Sequence, residues 1–301
     1  MTFDESSTAR PLVYAHRGAS AAYAEHTRAA YMQALADGAD GVECDVHLTR
    51  DGHVVLIHDD TLDRTSDGTG EVADRTLDEL HQLDFSSWKG VRIPEAYGAK
   101  SEQFLTLEDL LEILQGAGRP VGLAIELKHP NPYQLKLEDK VLEVLAEHGW
   151  APESSVVDNI SVTFMSFSTD SMQHLLRVVP PNFLCQLVHE VDLADLREDH
   201  GLGPFTGGAV ANVLRAAQLD AERVLDDGEV LMAGPGIDYV REHARTVQRW
   251  MESGRRFRVW TVDSANDVAL CQGLGIHEIT TNKPAAVLAQ IGSQEPYPAC
   301  D

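Results

Sequence analysis

Residues 12–48, LVYAHRGASAAYAEHTRAAYMQALADGADGVECDVHL, set two short apolar runs on either side of a helical pattern. Leu12–Ala15 reads as a buried strand, Thr27–Asp37 as an amphipathic helix closed by Gly38, and Gly41–His47 as a second strand. A strand, a helix and a strand in that order make a parallel pair with a crossover. Both strands carry residues that core packing does not call for: His16-Arg17-Gly18 follows the first, and Glu43 and Asp45 lie within the second.

Outward from this unit the pattern repeats. Further strands are expected at Val54–His58, Val121–Leu127, Val162–Phe167, Phe183–Val188, Glu229–Ala233, Arg256–Val262 and His277–Thr280, with helices at Thr106–Gln115 and Leu135–His148. Nine strand candidates in 301 residues favour an α/β fold of the TIM (β/α)8 barrel type, with one strand outside the barrel, over a doubly wound sheet with its glycine-rich phosphate loop. The link Thr49-Arg50-Asp51-Gly52 is too short for a crossover helix, so the second and third strands cannot be joined in the usual parallel way. Residues 60–104 lack barrel periodicity and are rich in turn formers, which marks a small insertion over the rim after the third strand. A single domain over residues 1–301 is the expected organisation.

Composition narrows the partners. Twenty-four basic against 48 acidic residues give a net charge of −24, a surface that repels nucleic acid and anionic lipid, so an anionic substrate needs local positive charge. The polar, acidic N-terminus lacks the features of a signal peptide, and no run of 18 apolar residues occurs, so neither a cleaved leader nor membrane insertion is expected. Cys44, Cys185, Cys271 and Cys300 are widely spaced with no C-x-x-C pair, which fits a reducing cytoplasm rather than a disulfide framework or zinc ribbon. The oligomeric state is left open.

Glu43 and Asp45, two apart on a strand, face the same side while Cys44 faces the other. Solvation at a strand end, or pairing with Arg17 or Lys128, is the bland reading of two such carboxylates. Glu126, at the end of another apolar run, supplies a third carboxylate, and an all-oxygen set of this kind suits a hard divalent cation, Mg²⁺ or Ca²⁺, better than zinc. Arg17 and Lys128 would add a positive pocket of the sort a phosphate needs. His16 and His58 each follow a buried-type run, and two imidazoles flanking a phosphate can take a proton from an attacking hydroxyl and return one to a leaving oxygen. Asp63-x-x-x-Asp67-Gly68 is a poor start to a calcium loop, lacking the ligands that should follow, and His47, His53, His81 and His277 read as exposed or structural.

Taken together, Ala15-His16-Arg17-Gly18, Glu25-His26-Thr27, Gly38 to Val46, Thr49-Arg50-Asp51-Gly52, His58-Asp59, Leu62-Asp63-Arg64-Thr65, Ala124 to Lys128, Val259-Trp260-Thr261-Val262 and Ile279 to Pro284 resemble, in order and over nearly the whole chain, the successive motifs of the glycerophosphodiester phosphodiesterases. The resemblance implies a TIM barrel with a small insertion after the third strand. It implies that Glu43, Asp45 and Glu126 bind the metal, with His16 and His58 as the acid and base pair. Arg17 and Lys128 would hold the phosphate, Trp260 would pack against the glycerol of a small-molecule glycerophosphodiester, and Glu25 is an additional candidate on the metal side. It further implies attack by the glycerol's own hydroxyl, a cyclic phosphate, and the products sn-glycerol 3-phosphate and an alcohol. One departure stands out: the family's Pro-Glu-Asn-Thr reads Ala24-Glu25-His26-Thr27, placing a larger, titratable side chain where an amide is usual. Two alternatives accompany this expectation. One is a lysophospholipase D, for which the aromatics Phe85, Trp88, Tyr97 and Phe104 of the insertion would offer a modest apolar wall. The other is a non-catalytic phosphodiester-binding barrel.

Overall fold

The computed structural model describes residues 10–190 and 204–292. Ten strands are found there: β1 (Leu12–His16), β2 (Gly41–Leu48), β3 (Val54–Leu56), β4 (Val121–Leu127), β5 (Val156–Val157), β6 (Ile160–Ser166), β7 (Leu184–Val188), β8 (Met232–Pro235), β9 (Arg256–Val259) and β10 (Glu278–Thr281). Eight run parallel in the circular order β1, β2, β4, β6, β7, β8, β9, β10, and the pairing of β10 with β1 and of β1 with β2 closes the barrel. Two strands lie outside the barrel, one more than the nine sequence candidates imply: β3 pairs antiparallel to β2 with Val46 opposite Leu56, and the two-residue β5 pairs antiparallel to β6 with Val157 opposite Ile160. The short link of residues 49–53 thus makes a hairpin where a crossover had no room.

The barrel strands are buried almost throughout, and several, such as β1 and β4, are nearly continuous apolar, whereas β2, β9 and β10 carry charged or hydroxyl side chains on one face. On β2, Val42, Cys44 and Val46 pack outward in the main core, and on β4 Leu123, Ile125 and Leu127 do the same. Inside, Leu12, Tyr14, Ala124, Met165, Cys185, Leu187 and Met232 fill the barrel. Tyr14 lies across the neighbouring strands so closely that a Cβ on Gly41 would sit 2.4 Å from its ring and one on Gly122 would sit 2.2 Å from its hydroxyl. Glycine at both positions is therefore a packing requirement. Above Tyr14, Arg258 is fully buried, its Cζ 4.2 Å from the tyrosine ring centroid, donating to Glu278 at 2.8 Å and to Thr163 Oγ1 at 2.9 Å. A charge so deep is tolerable because carboxylate, hydroxyl and ring surround it.

The first helix, Arg28–Ala36, starts where Thr27 caps the Ala30 amide and stops before Gly38, which has a positive φ. The strand expected at Glu229–Ala233 lies later, at Met232–Pro235. Gly228, with φ of 75°, turns the chain out of the long helix Pro204–Asp227, and residues 229–231 are spent returning to the barrel. Between β3 and the helix Leu107–Gln115 the chain makes the excursion expected from its turn-rich composition, as short 3₁₀ turns and one small helix. This excursion has its own core of Val55, Ile57, Leu62, Val72, Leu80, Phe85 and Phe104. Buried Gln103 fastens it to the barrel side, accepting from the Ala29 amide at 2.9 Å. Cys300 lies outside the described residues.

Candidate active site

Because side chains alternate along a strand, Glu43 and Asp45 turn into the barrel mouth from β2, and register places Asp45 beside Glu126 of β4. One ligand atom from each of Glu43, Asp45 and Glu126 lies within 4.8 Å of the other two. In the described residues Glu43 Oε1 is buried without a hydrogen-bond partner, although a buried carboxylate oxygen ordinarily has one. Burial and neighbouring Asp45 push Glu43 well above the usual carboxylate range. Burial likewise raises Glu126, to about 7, against the pull of Lys128. Asp45 is also raised by burial, but Lys128, Arg17 and His26 outweigh it and hold its pKa well below the ordinary value. Three crowded, buried carboxylates, with Glu43 Oε1 and Asp45 Oδ1 both lacking a hydrogen-bond partner, form an all-oxygen donor set that fits a hard divalent cation.

The cations are anchored by the same carboxylates. Arg17 Nε lies 3.1 Å from Asp45, its Nη1 donates to Glu25 at 2.9 Å, and its backbone amide donates to Glu43 at 3.0 Å. Lys128 Nζ lies 3.0 Å from Glu126 and 3.4 Å from Asp45. Both retain N–H groups for an incoming anion. The turn holding Arg17 is tight, with Arg17 and His26 both at positive φ and the His26 amide bonded to the Arg17 carbonyl at 3.1 Å. Gly18 follows, so close to the first helix that a Cβ would meet Ala30 at 2.6–2.8 Å. His26 is buried and bridges Asp45 (3.0 Å from Nε2) and the Tyr31 hydroxyl (2.9 Å from Nδ1).

The two imidazoles come from different elements and are each oriented by one acceptor. Asn282 donates through Nδ2 to Asp263, so its Oδ1 is an acceptor, and His16 Nδ1–H donates to it at 2.8 Å. His58 Nδ1 lies 2.7 Å from the Asp59 carboxylate and donates to it. In each ring this leaves Nε2 available. Burial lowers both pKa values to about 4, with Arg17 adding to the effect at His16, while Asp45 works against it at His58. Trp260 follows β9, donating to the Gly234 carbonyl at 2.8 Å and meeting Phe167 edge-on with centroids 5.7 Å apart.

The barrel therefore brings His16, Arg17, Glu43, Asp45, His58, Glu126 and Lys128 to one rim, the end at which barrel enzymes carry their active sites. Glu25 stands apart from the three clustered carboxylates, paired with Arg17 and Arg64. His47, expected to be exposed or structural, is buried, and its Nε2 contacts the His58 carbonyl at 3.3 Å. Asn282 and Phe167 received no role from the sequence. Asn282 stands in the Ile279 to Pro284 motif just past a buried strand, the one signal that could have singled it out. Of the insertion's aromatics, Phe85 and Phe104 stack at 4.5 Å in the insertion's own core and the Tyr97 hydroxyl bonds Gln33, while Trp88 is exposed, its indole N–H donating to the Phe85 carbonyl at 3.0 Å.

A profile described as the glycerophosphoryl diester phosphodiesterase family matches residues 16–286. A Mycobacterium tuberculosis protein named as a probable glycerophosphodiester phosphodiesterase 1 is 36% identical over 287 residues, covering 95% of this chain and 94% of its own length. A glycerophosphodiester phosphodiesterase of Bacillus subtilis is 28% identical over 278 residues, covering 91% of this chain and 84% of its own. An Oleispira antarctica phosphodiesterase, solved in complex with the product sn-glycerol-3-phosphate, shares the fold with a TM-score of 0.70 at 24% identity, covering 94% of this chain and 98% of that one. The profile match spans most of the sequence and the 36% identity extends over nearly all of it; the chain belongs to the glycerophosphoryl diester phosphodiesterase family.

Proposed function

We propose that this protein hydrolyses glycerophosphodiesters to sn-glycerol 3-phosphate and an alcohol, using a divalent cation. The observation that carries the reading is the convergence of three carboxylates, two anchored cations and two oriented imidazoles on one barrel rim in a chain of this family. Glu43, Asp45 and Glu126 would hold Mg²⁺ or Ca²⁺, which when bound supplies Lewis-acid polarisation of a phosphate oxygen. Arg17 and Lys128 hold the phosphate's remaining charge. One of His16 and His58 takes the proton from the glycerol hydroxyl as that oxygen attacks phosphorus. The other protonates the alcohol oxygen as its bond to phosphorus breaks, and water then opens the cyclic phosphate. A bound diester's negative charge draws both imidazoles upward from pKa about 4, toward the range in which one can act as acid. Trp260 offers its ring to the glycerol. Cys44, Cys185 and Cys271 are buried thiols rather than disulfides, which supports a cytoplasmic location, and no helix among the described residues is long and apolar enough to cross a membrane.

Release of sn-glycerol 3-phosphate from glycerophosphocholine and glycerophosphoethanolamine should stop on treatment with EDTA and return with Mg²⁺ or Ca²⁺. Glu43→Gln should lose both cation binding and turnover. No release from either substrate under any metal condition would reject the reading.

One observation favours a second substrate. A cavity of about 440 Å³ is lined by Phe167, Leu187, Val188, Val213, Leu214 and Ala217, between the ends of β6 and β7 and the helix Pro204–Asp227. It adjoins Trp260 through Phe167 and could take the single acyl chain of a lysophospholipid. Choline release from lysophosphatidylcholine, reduced by Leu214→Trp with glycerophosphocholine turnover unchanged, would support that extension; no choline release would remove it.

A further inference from the structure

The reacting groups of the rim are tied together from outside by a side chain of the insertion. Arg64 Nε donates to Asp59 Oδ2 at 2.6 Å and Nη2 donates to Asp59 Oδ1 at 2.9 Å. The other edge of the same guanidinium meets Glu25, Nη1 to Oε2 at 2.9 Å and Nη2 to Oε1 at 2.8 Å. Asp59 is the carboxylate that receives His58 Nδ1–H, and Glu25 is the one that receives Arg17. The chain of contacts therefore runs His58, Asp59, Arg64, Glu25, Arg17, Asp45, from an imidazole to a carboxylate of the cation cluster, with one arginine at its centre.

We infer that Arg64 is a positioning residue for the reaction proposed above: one guanidinium orients the His58 imidazole through Asp59 and the Arg17 guanidinium through Glu25, coupling proton transfer to phosphate binding.

Three observations support this. Two carboxylates facing one guanidinium in paired hydrogen bonds is a directional arrangement that a lysine ammonium cannot reproduce. The contacts keep both carboxylates ionised: burial raises Glu25 and Asp59, yet Arg64 and Arg17 bring Glu25 to about 2, and Arg64 and His58 take Asp59 well below the usual range. An ionised Asp59 accepts only, so it fixes the His58 tautomer with its proton on Nδ1 and Nε2 ready as base. Arg64 itself is 45% exposed and lies outside the carboxylate cluster, so it acts through its neighbours. It also gives the insertion a function: its own core holds Leu62 rigid, and Arg64, two residues on, reaches back to the rim.

The inference rests on the proposed phosphodiesterase activity, and the wild-type protein separates the two. If wild type shows no metal-dependent release of sn-glycerol 3-phosphate, the activity reading fails. With active wild type, steady-state kinetics of Arg64→Ala, Arg64→Lys, Asp59→Asn and Glu25→Gln test the coupling. Arg64→Ala should lower kcat about 10- to 100-fold, as loss of a ligand-orienting partner does, and raise KM. Asp59→Asn should act chiefly on kcat and Glu25→Gln chiefly on KM. Arg64→Lys should remain closer to Arg64→Ala than to wild type, and guanidinium ion added to Arg64→Ala should recover part of kcat. The Arg64→Ala/Asp59→Asn double variant should lose little beyond the worse single variant. A kcat and KM within twofold of wild type in Arg64→Ala, full recovery in Arg64→Lys, or simple additivity in the double variant would overturn the inference. If Arg64→Ala does not fold, the Arg64→Lys kinetics and their additivity with Asp59→Asn decide it.

Discussion

The residues with most chemical consequence each have a single neighbour that defines their state. His16 is defined by Asn282 and His58 by Asp59, each taking the Nδ1 proton. His16→Ala and His58→Ala should each reduce kcat by at least about 10²-fold, with cation binding by calorimetry and the thermal midpoint close to wild type, since neither ring belongs to the carboxylate cluster. Turnover that survives in either variant would remove that histidine from proton transfer. Glu25 makes a pH prediction. Its folded-state pKa of about 2 lies below its ordinary 4.5, so its contribution to stability is complete above pH about 4.5 and is lost as pH falls toward 2. Thermal melts should find Glu25→Gln less stable than wild type at pH 7, with the difference closing between pH 5 and pH 2; a constant difference would reject the assignment. The motif containing Glu25 was legible in sequence, its partnership with Arg64 was not, because the two are 39 residues apart and join only when the insertion folds back.

At the scale of elements, period and length carried most of the information. The runs at β1, β2, β4, β6 and β7 are apolar on at least one face and legible as strands, whereas β8 begins three residues later than its apolar run suggests, because that run starts in the return from the helix. Nothing local distinguishes an apolar residue approaching a sheet from one inside it. The hairpin of β2 and β3 was half legible: the short link excluded a crossover, and the antiparallel register of Val46 with Leu56 supplied the rest. The layer of Tyr14 under the site was not legible, since the need for glycine at 41 and 122 arises from a ring on another strand. Gly41→Ala should overpack that layer and cost about 1–3 kcal/mol, a fall in Tm of roughly 2–10 °C for a chain of this length. Tyr14→Leu in the Gly41→Ala background should recover part of the loss by relieving the contact. An unchanged Tm in Gly41→Ala would show that the barrel relaxes around the added methyl.

For the whole molecule, a net charge of −24 surrounds the rim at which Arg17 and Lys128 stand, so on the proposed reading long-range forces oppose the approach of an anionic diester that these two cations would hold at short range. Raising ionic strength from about 0.02 to 0.2 M shortens the screening length from about 20 Å to under 10 Å, and kcat/KM for glycerophosphoglycerol should rise more than that for zwitterionic glycerophosphocholine. Equal responses would show that the field at the mouth is already neutralised by the site. The sequence by itself determined the barrel class, one of the two strands outside it, the insertion, and the residue types of the rim, because hydrophobic period, link length and the chemistry of strand ends are local properties of the chain. Only the tertiary structure decided which groups meet: that Glu43, Asp45 and Glu126 come within 4.8 Å, that Glu25 joins Arg17 and Arg64, and that an apolar cavity lies beside β6 and β7. The physical reason is that strand order and register around a closed barrel set these distances, and both are fixed by pairing between segments far apart in sequence.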